Sequence, residues 1–170
     1  MRHFMNQKKT TAEKLSRNDT GGVAGLDTKI DGTSHAVIER IYREWDDALS
    51  KLDIERLLAL YAPDATLESP LIRHLLKTDR GVLHGRDELR RLFKELAKTQ
   101  PKTRQFYRKG YFTDGKTVIW EYPRESPNGD QQDFVEVMEI DNGLIKKHRV
   151  YWGWFGVRVL ERGEHFRKES

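Results

Sequence analysis

The residues best placed for chemistry are a glutamate and a histidine in the last third of the chain. Along Phe134–Ile140 successive side chains alternate, so Phe134, Glu136, Met138 and Ile140 share one face and Val135, Val137 and Glu139 the other. Glu136 is thereby a single carboxyl among apolar neighbours. Downstream, His148, Val150 and Trp152 share a face, with Lys147, Arg149 and Tyr151 opposite. Whether Glu136 and His148 meet depends on the turn between them. A three-residue Asp141-Asn142-Gly143 loop, with Gly143 left-handed, pairs Ile140 with Leu144 and Glu136 with His148. A two-residue Asn142-Gly143 turn pairs Glu136 with Arg149 instead. In the first register a carboxyl and an imidazole face one another on an otherwise apolar strand face. Burial and mutual attraction act on such a pair in opposite senses, the setting in which these groups exchange protons with a small organic molecule. The same two groups can also be a hydrogen bond that merely ties two strands.

Other side chains offer less. Trp45, Trp120, Tyr122 and Trp152 can line a pocket and stack on a flat ligand, or serve as ordinary core aromatics. Glu68 and Ser69 are strand neighbours, so only one of them points inward. His74 and His84 flank a segment that could border a pocket mouth or simply lie on the surface. Glu68, His74, His84 and His148 lack His-x-x-x-His or comparable spacing, so no metal is expected. The chain has no cysteine, which excludes disulfides, a thiolate nucleophile and Cys-ligated metal. No glycine-rich loop joins a strand to a helix as a phosphate cradle. A net charge of +4 over 170 residues is a small excess. The basic clusters Arg86–Lys94, Lys102–Lys109 and Lys146–Arg149 sit among carboxylates or apolar residues, whereas nucleic-acid binding calls for a one-signed patch. No apolar run reaches the roughly 18 residues of a membrane span, and the N-terminus lacks the apolar core of a secretory signal. The expectation is a cytoplasmic protein with no membrane or nucleic-acid partner.

The elements that must position these groups follow from periodicity. Residues 1–33 have Phe4 as their one aromatic and contain Thr20-Gly21-Gly22-Val23-Ala24-Gly25, which reads as a disordered tail. From a Ser34 cap, Val37, Ile38, Ile41, Tyr42, Trp45, Ala48, Leu49 and Leu52 recur at helical spacing. Asp53 can cap a second helix with Ile54, Leu57, Leu58, Leu60 and Tyr61 on its apolar face, ended by Ala62-Pro63-Asp64. Ala65–Ser69 reads as a strand and Leu71–Leu83 as loop. A third helix spans about Arg86–Lys98, with Leu89, Leu92, Phe93 and Leu96 inward. Strands are expected at Gln105–Thr113, Thr117–Glu125, Gln131–Ile140 and Leu144–Trp152, separated by turn signals. Helices followed by an antiparallel meander make an α+β domain in which a curved sheet wraps a long amphipathic helix.

Two runs carry a resemblance. Ile41-Tyr42-Arg43-Glu44-Trp45 with Leu57–Pro70, and above all Tyr61-Ala62-Pro63-Asp64-Ala65-Thr66, resemble the opening of the SnoaL-like, nuclear-transport-factor-two-like superfamily. Gly85-Arg86-Asp87-Glu88-Leu89 and the closing strands Phe134–Trp152 fit the same pattern. The resemblance covers about residues 34–157 and leaves 158–170 as a C-terminal extension. It implies a cone: a strongly bent sheet and three helices enclosing an apolar pocket, often dimeric through the sheet. It also favours the Glu136–His148 register. The superfamily includes ketosteroid isomerases, polyketide cyclases, dehydratases, epoxide hydrolases and non-enzymatic members, so a shared fold does not transfer a function. Where ketosteroid isomerases carry their base this chain has Ser69, their oxyanion-binding Tyr corresponds to Trp45, and their protonated Asp to Glu136. The acid on the last strand of the epoxide hydrolases corresponds to Val150. The steroid machinery is therefore not reproduced. What the resemblance implies is a small hydrophobic or aromatic ligand and, if there is catalysis, isomerase, cyclase or dehydratase chemistry without a cofactor. Glu136 and His148 would be the acid–base pair, with Trp45, Ser69, Trp120, Tyr122, Val150 and Trp152 around the ligand. The alternative is a non-catalytic dimeric ligand-binding or interaction module.

Overall fold

The long amphipathic stripe forms helix α1 (Gly32–Ser50), which buries Ile38, Ile41, Trp45, Ala48 and Leu49. A computed structural model describes residues 32–99, 110–125 and 131–162. The tail read over 1–33 lies outside the described residues except for its last two positions, as do residues 105–109 of the expected first meander strand and the turn at 126–129. After α1, Asp53 caps α2 (Ile54–Ala59), its carboxylate accepting the Arg56 N–H at 3.1 Å. The remaining elements are β1 (Tyr61–Glu68), α3 (Pro70–Leu76), β2 (Val82–His84), α4 (Gly85–Thr99), β3 (Phe112–Thr113), β4 (Thr117–Glu125), β5 (Gln131–Asp141), β6 (Leu144–Trp152) and α5 (Trp154–Arg162). The strands form one curved, unclosed six-stranded sheet in the order β2-β1-β6-β5-β4-β3, with the helices against its inner face. The architecture is α+β, as the period change in the sequence implies. All neighbouring strands are antiparallel except β1 and β6.

Three local expectations need correction. The second helix ends at Ala59, not at Ala62-Pro63-Asp64, so Tyr61 belongs to β1 and points into the core. The segment 71–83 is loop only over 77–81: Ser69 accepts the Leu71 N–H at 3.2 Å and Pro70 occupies the first turn, which starts α3. Of the strand expected at Gln105–Thr113, the described part contributes Phe112–Thr113. One further helix, α5, runs across residue 157 and packs on β5, β6 and α3.

The β5–β6 register matches neither alternative raised by the sequence. Asn142 (φ 49°) and Gly143 (φ 75°) form a two-residue turn that pairs Asp141 with Leu144 and Ile140 with Ile145. Positive φ at both central residues is the primed hairpin geometry that Asn-Gly favours. One step further the ladder slips, and Glu139 pairs with Lys147. Lys146 is the extra residue of a bulge. Beyond it Met138 pairs with His148 and Glu136 with Val150. Without the bulge, the two-residue turn would turn His148 to the outer face. The extra residue restores the parity, so Glu136 and His148 share the inner face as diagonal neighbours. Next to the bulge, β1 shifts its own pairing with β6 between Tyr61 and Thr66, and Asp64 pairs with Lys146. Arg40 of α1 holds the turn by donating to the Gly143 carbonyl at 2.8 Å.

Candidate functional site

Five buried polar groups run through the core in sequence. The Trp45 indole N–H donates to the Tyr61 hydroxyl at 3.0 Å, and that hydroxyl lies 2.9 Å from His148 Nδ1. His148 Nε2 is 2.5 Å from Glu136 Oε2, and the Tyr122 hydroxyl donates to Glu136 Oε1 at 2.7 Å. Glu136 and His148 are each 2% exposed. Five elements deliver the five side chains. Trp45 comes from the core stripe of α1, Tyr61 from the first residue of β1, Tyr122 from β4, and the central pair from the two sides of the β5–β6 hairpin.

Tyr61 is held at both ends. Its carbonyl, beside the shifted pairing of β1 with β6, accepts from the Arg86 guanidinium, with Nε at 2.8 Å. Its hydroxyl is fully buried, and burial pushes its pKa well above that of a free phenol. The Trp45 hydrogen bond opposes that rise and the nearby Glu136 charge adds to it. Tyr61 is thus a neutral hydrogen-bonding relay.

A cavity of about 80 Å³ lies against this run. Glu136, His148, Tyr122 and the Trp45 ring form part of its wall, as do Leu92, Phe93 and Leu96 of α4. Ser69, Val150 and Trp152 also line it. Ser69 points inward at 5% exposure while Glu68 is exposed, as strand alternation requires. The Ser69 oxygen accepts the Leu71 N–H, and its own O–H has no acceptor among the described residues. Trp152 meets Phe134 edge-on at 4.5 Å, and a Cβ on Gly156 would approach the Trp152 ring to 2.8 Å. Gly156 therefore lets α5 sit directly on that wall.

Trp120 does not line the cavity. It is buried behind Trp45, edge-on to it at 5.5 Å and to Tyr42 at 5.4 Å, because α1 covers that part of β4. Trp45 keeps its place at the cavity, but its N–H is spent on Tyr61 and is not offered to a ligand. His74 is half-buried on α3, where burial first and Lys77 second hold its pKa below the ordinary value. His84 is exposed on β2, and neither histidine lines the cavity.

Sequence reasoning missed Tyr61 because it counted as the last apolar position of a helix. The signal was Pro63, which removes a backbone donor two residues on and fits an irregular strand start better than a helix end. Of the basic clusters, Lys102–Lys109 lies outside the described residues, and in the other two several side chains already have acceptors. Arg86 is spent on the Tyr61 carbonyl, and Arg90 pairs with Glu55 at 2.9 Å and Asp87 at 2.7 Å. Lys98 pairs with Glu95, Lys146 with Asp64, and Arg149 with Glu139.

A SnoaL-like domain model matches residues 42–148, from the middle of α1 to the histidine of the buried pair. The chain belongs to the SnoaL-like family. Solved structures agree on the fold. A SnoaL-like protein of unknown function from Burkholderia thailandensis is 21% identical over 73% of this chain and 98% of its own, with a TM-score of 0.60. TerC, co-crystallized with polyporic acid, is 16% identical over 74% of this chain and 98% of its own, with a TM-score of 0.59. The epoxide hydrolase/cyclase-like enzyme SalBIII, from pyran ring formation in the polyether salinomycin, is 21% identical over 71% of this chain and 94% of its own, with a TM-score of 0.55. No curated protein shows significant similarity to the chain. Among the described residues no helix is long and apolar enough to cross a membrane.

Proposed function

We propose that this SnoaL-like domain binds a small, mostly apolar or aromatic molecule in the cavity and moves a proton on it, with Glu136 and His148 as the acid–base pair. The observation that carries the reading is a glutamate and a histidine, both 2% exposed and 2.5 Å apart, on the wall of a mostly apolar cavity. Acid–base chemistry of this kind calls for no cofactor. Ser69, with its unspent hydroxyl hydrogen, offers a donor to a ligand oxygen, and Tyr122, Val150 and Trp152 shape the wall. Membership of a family whose fold is shared by TerC and SalBIII supports the class of ligand without naming it. The cavity sets a condition. A dry cavity of about 150 Å³ accommodates benzene, so at about 80 Å³ a ring enters only if a wall yields. Leu71, Val150 and Trp152 are the half-buried parts of the lining and the natural side to open.

The same volume favours a second reading, a non-catalytic dimeric module, since ordinary ligand sites span about 300–1,000 Å³. In either case the proposed partner is a second copy across the sheet. The outer face carries Phe112, Ile119 and Tyr151 exposed, in register with Val137 and Val135. Thermal unfolding of the parent, Glu136→Gln and His148→Ala with a panel of flat phenols and aromatic ketones, at several pH values, separates the readings. The acid–base reading predicts ligands that raise the parent's Tm with a pH dependence that both variants lose. Binding of equal strength and pH profile in all three proteins removes the acid–base role, and no binding at all leaves the module.

A further inference from the structure

We infer that Trp45 and Tyr61 are positioning residues that fix the proton of the buried pair on His148 Nε2 and leave Glu136 as the carboxylate. Resting on the acid–base reading above, this makes Glu136 the group that takes the first proton from a bound molecule.

The direction follows from donor counting. An indole N–H can only donate, so the bond between Trp45 Nε1 and the Tyr61 oxygen at 3.0 Å has one polarity. Tyr61 then has one hydrogen left to place. It is fully buried, and His148 Nδ1 at 2.9 Å is the acceptor in reach among the described residues. Nδ1 is therefore bare, and a neutral imidazole with a bare Nδ1 carries its proton on Nε2. That N–H faces Glu136 Oε2 at 2.5 Å, and Tyr122 donates to Oε1 at 2.7 Å. In this arrangement every hydrogen of the run has an acceptor and the carboxylate receives two charge-assisted bonds.

Both other states break the run. A proton on Nδ1, whether in the other tautomer or in the imidazolium, makes the Tyr61 oxygen accept from two sides. Its own hydrogen is then left facing a dry core, which native proteins avoid. Tyr61 cannot escape by ionising, because burial raises its pKa. Trp45 thus acts three hydrogen bonds away from the carboxylate, through partners on β1, β6 and β5.

The test needs no ligand. The full-length chain, labelled with nitrogen-15, is recorded at pH 7 by two-bond proton–nitrogen correlation, with the His148 signals assigned by their loss in His148→Gln. The parent should show a protonated Nε2 and a bare Nδ1. In Trp45→Phe the Tyr61 hydroxyl is free to turn, and an Nδ1–H population absent from the parent should appear. Tyr61→Phe removes the donor to Nδ1 and should release the same lock, so it serves if Trp45→Phe does not fold. A purely structural role would leave the tautomer unchanged in a folded variant. An Nδ1–H tautomer or an imidazolium in the parent overturns the inference, as does an unchanged pattern in folded Trp45→Phe. Indifference of ligand binding to Glu136→Gln would remove the proposed function while the tautomer pattern stood, so the two failures are distinguishable.

Discussion

The β5–β6 hairpin carries a carboxylate opposite a basic side chain on each of its two faces. On the inner face Glu136 meets His148 at 2.5 Å with both groups buried. On the outer face Glu139 meets Arg149 at 2.7 Å and Lys147 at 3.9 Å, with the Glu139 side chain 43% exposed. Both arrangements set a glutamate against a nitrogen donor, and their access to water sets them apart. The outer charges keep much of their hydration and are screened by salt, so their attraction adds little. The inner groups have given up water, so each depends on its partner, and removing one strands the other. One hairpin therefore presents a solvated face that tolerates change and a dry face that does not.

That contrast can be broken in order of size. His148→Ala leaves the Glu136 carboxylate buried without its imidazole and should cost about 3–5 kcal/mol in urea unfolding; a loss below about 1 kcal/mol would show that water reaches the pair. Tyr122→Phe strips one donor from the same carboxylate and should cost about 1–3 kcal/mol, with the fold retained by circular dichroism. Glu139→Gln on the outer face should change stability by less than about 1 kcal/mol, and that small effect should shrink further in added salt. Smallest of all is a pH effect at the β3–β4 turn. The Lys116 and Thr117 backbone N–H groups hold the Asp114 carboxyl below the usual carboxylate range. Its contribution is present above the ordinary Asp pKa of about 3.9 and is lost as pH falls through the lower folded value. Asp114→Asn should therefore narrow the gap between stability at pH 5 and at pH 2.5.

Much of the frame was legible because its signals are local. Alternation and turn residues mark Thr117–Glu125 and Leu144–Trp152 to the residue, and Asp53 caps its helix as its type predicts. The inward turn of Ser69 follows from the same alternation. What escaped depends on distant partners. Lys146 bulges where β6 is flanked by β5 on one side and β1 on the other, and its ammonium reaches Asp64 far back in the chain. No local pattern announces that extra residue, so the expected encounter of Glu136 and His148 is present through a register that was not foreseen. Tyr61 was hidden by the apolar run Leu57–Leu60 that precedes it, and Ser69-Pro70 closes a strand and opens a helix with the same two residues. Trp120 shares the inward parity of Tyr122, but the helix laid over it takes it out of the cavity wall.

The most direct measurement is a pair of double-mutant cycles in urea, Glu136→Gln with His148→Gln on the inner face and Glu139→Gln with Arg149→Gln on the outer. A coupling of at least about 2 kcal/mol inside against less than about 1 kcal/mol outside is the expected result. Equal couplings would mean that both faces see the same solvent, and the dry acid–base pair would be lost.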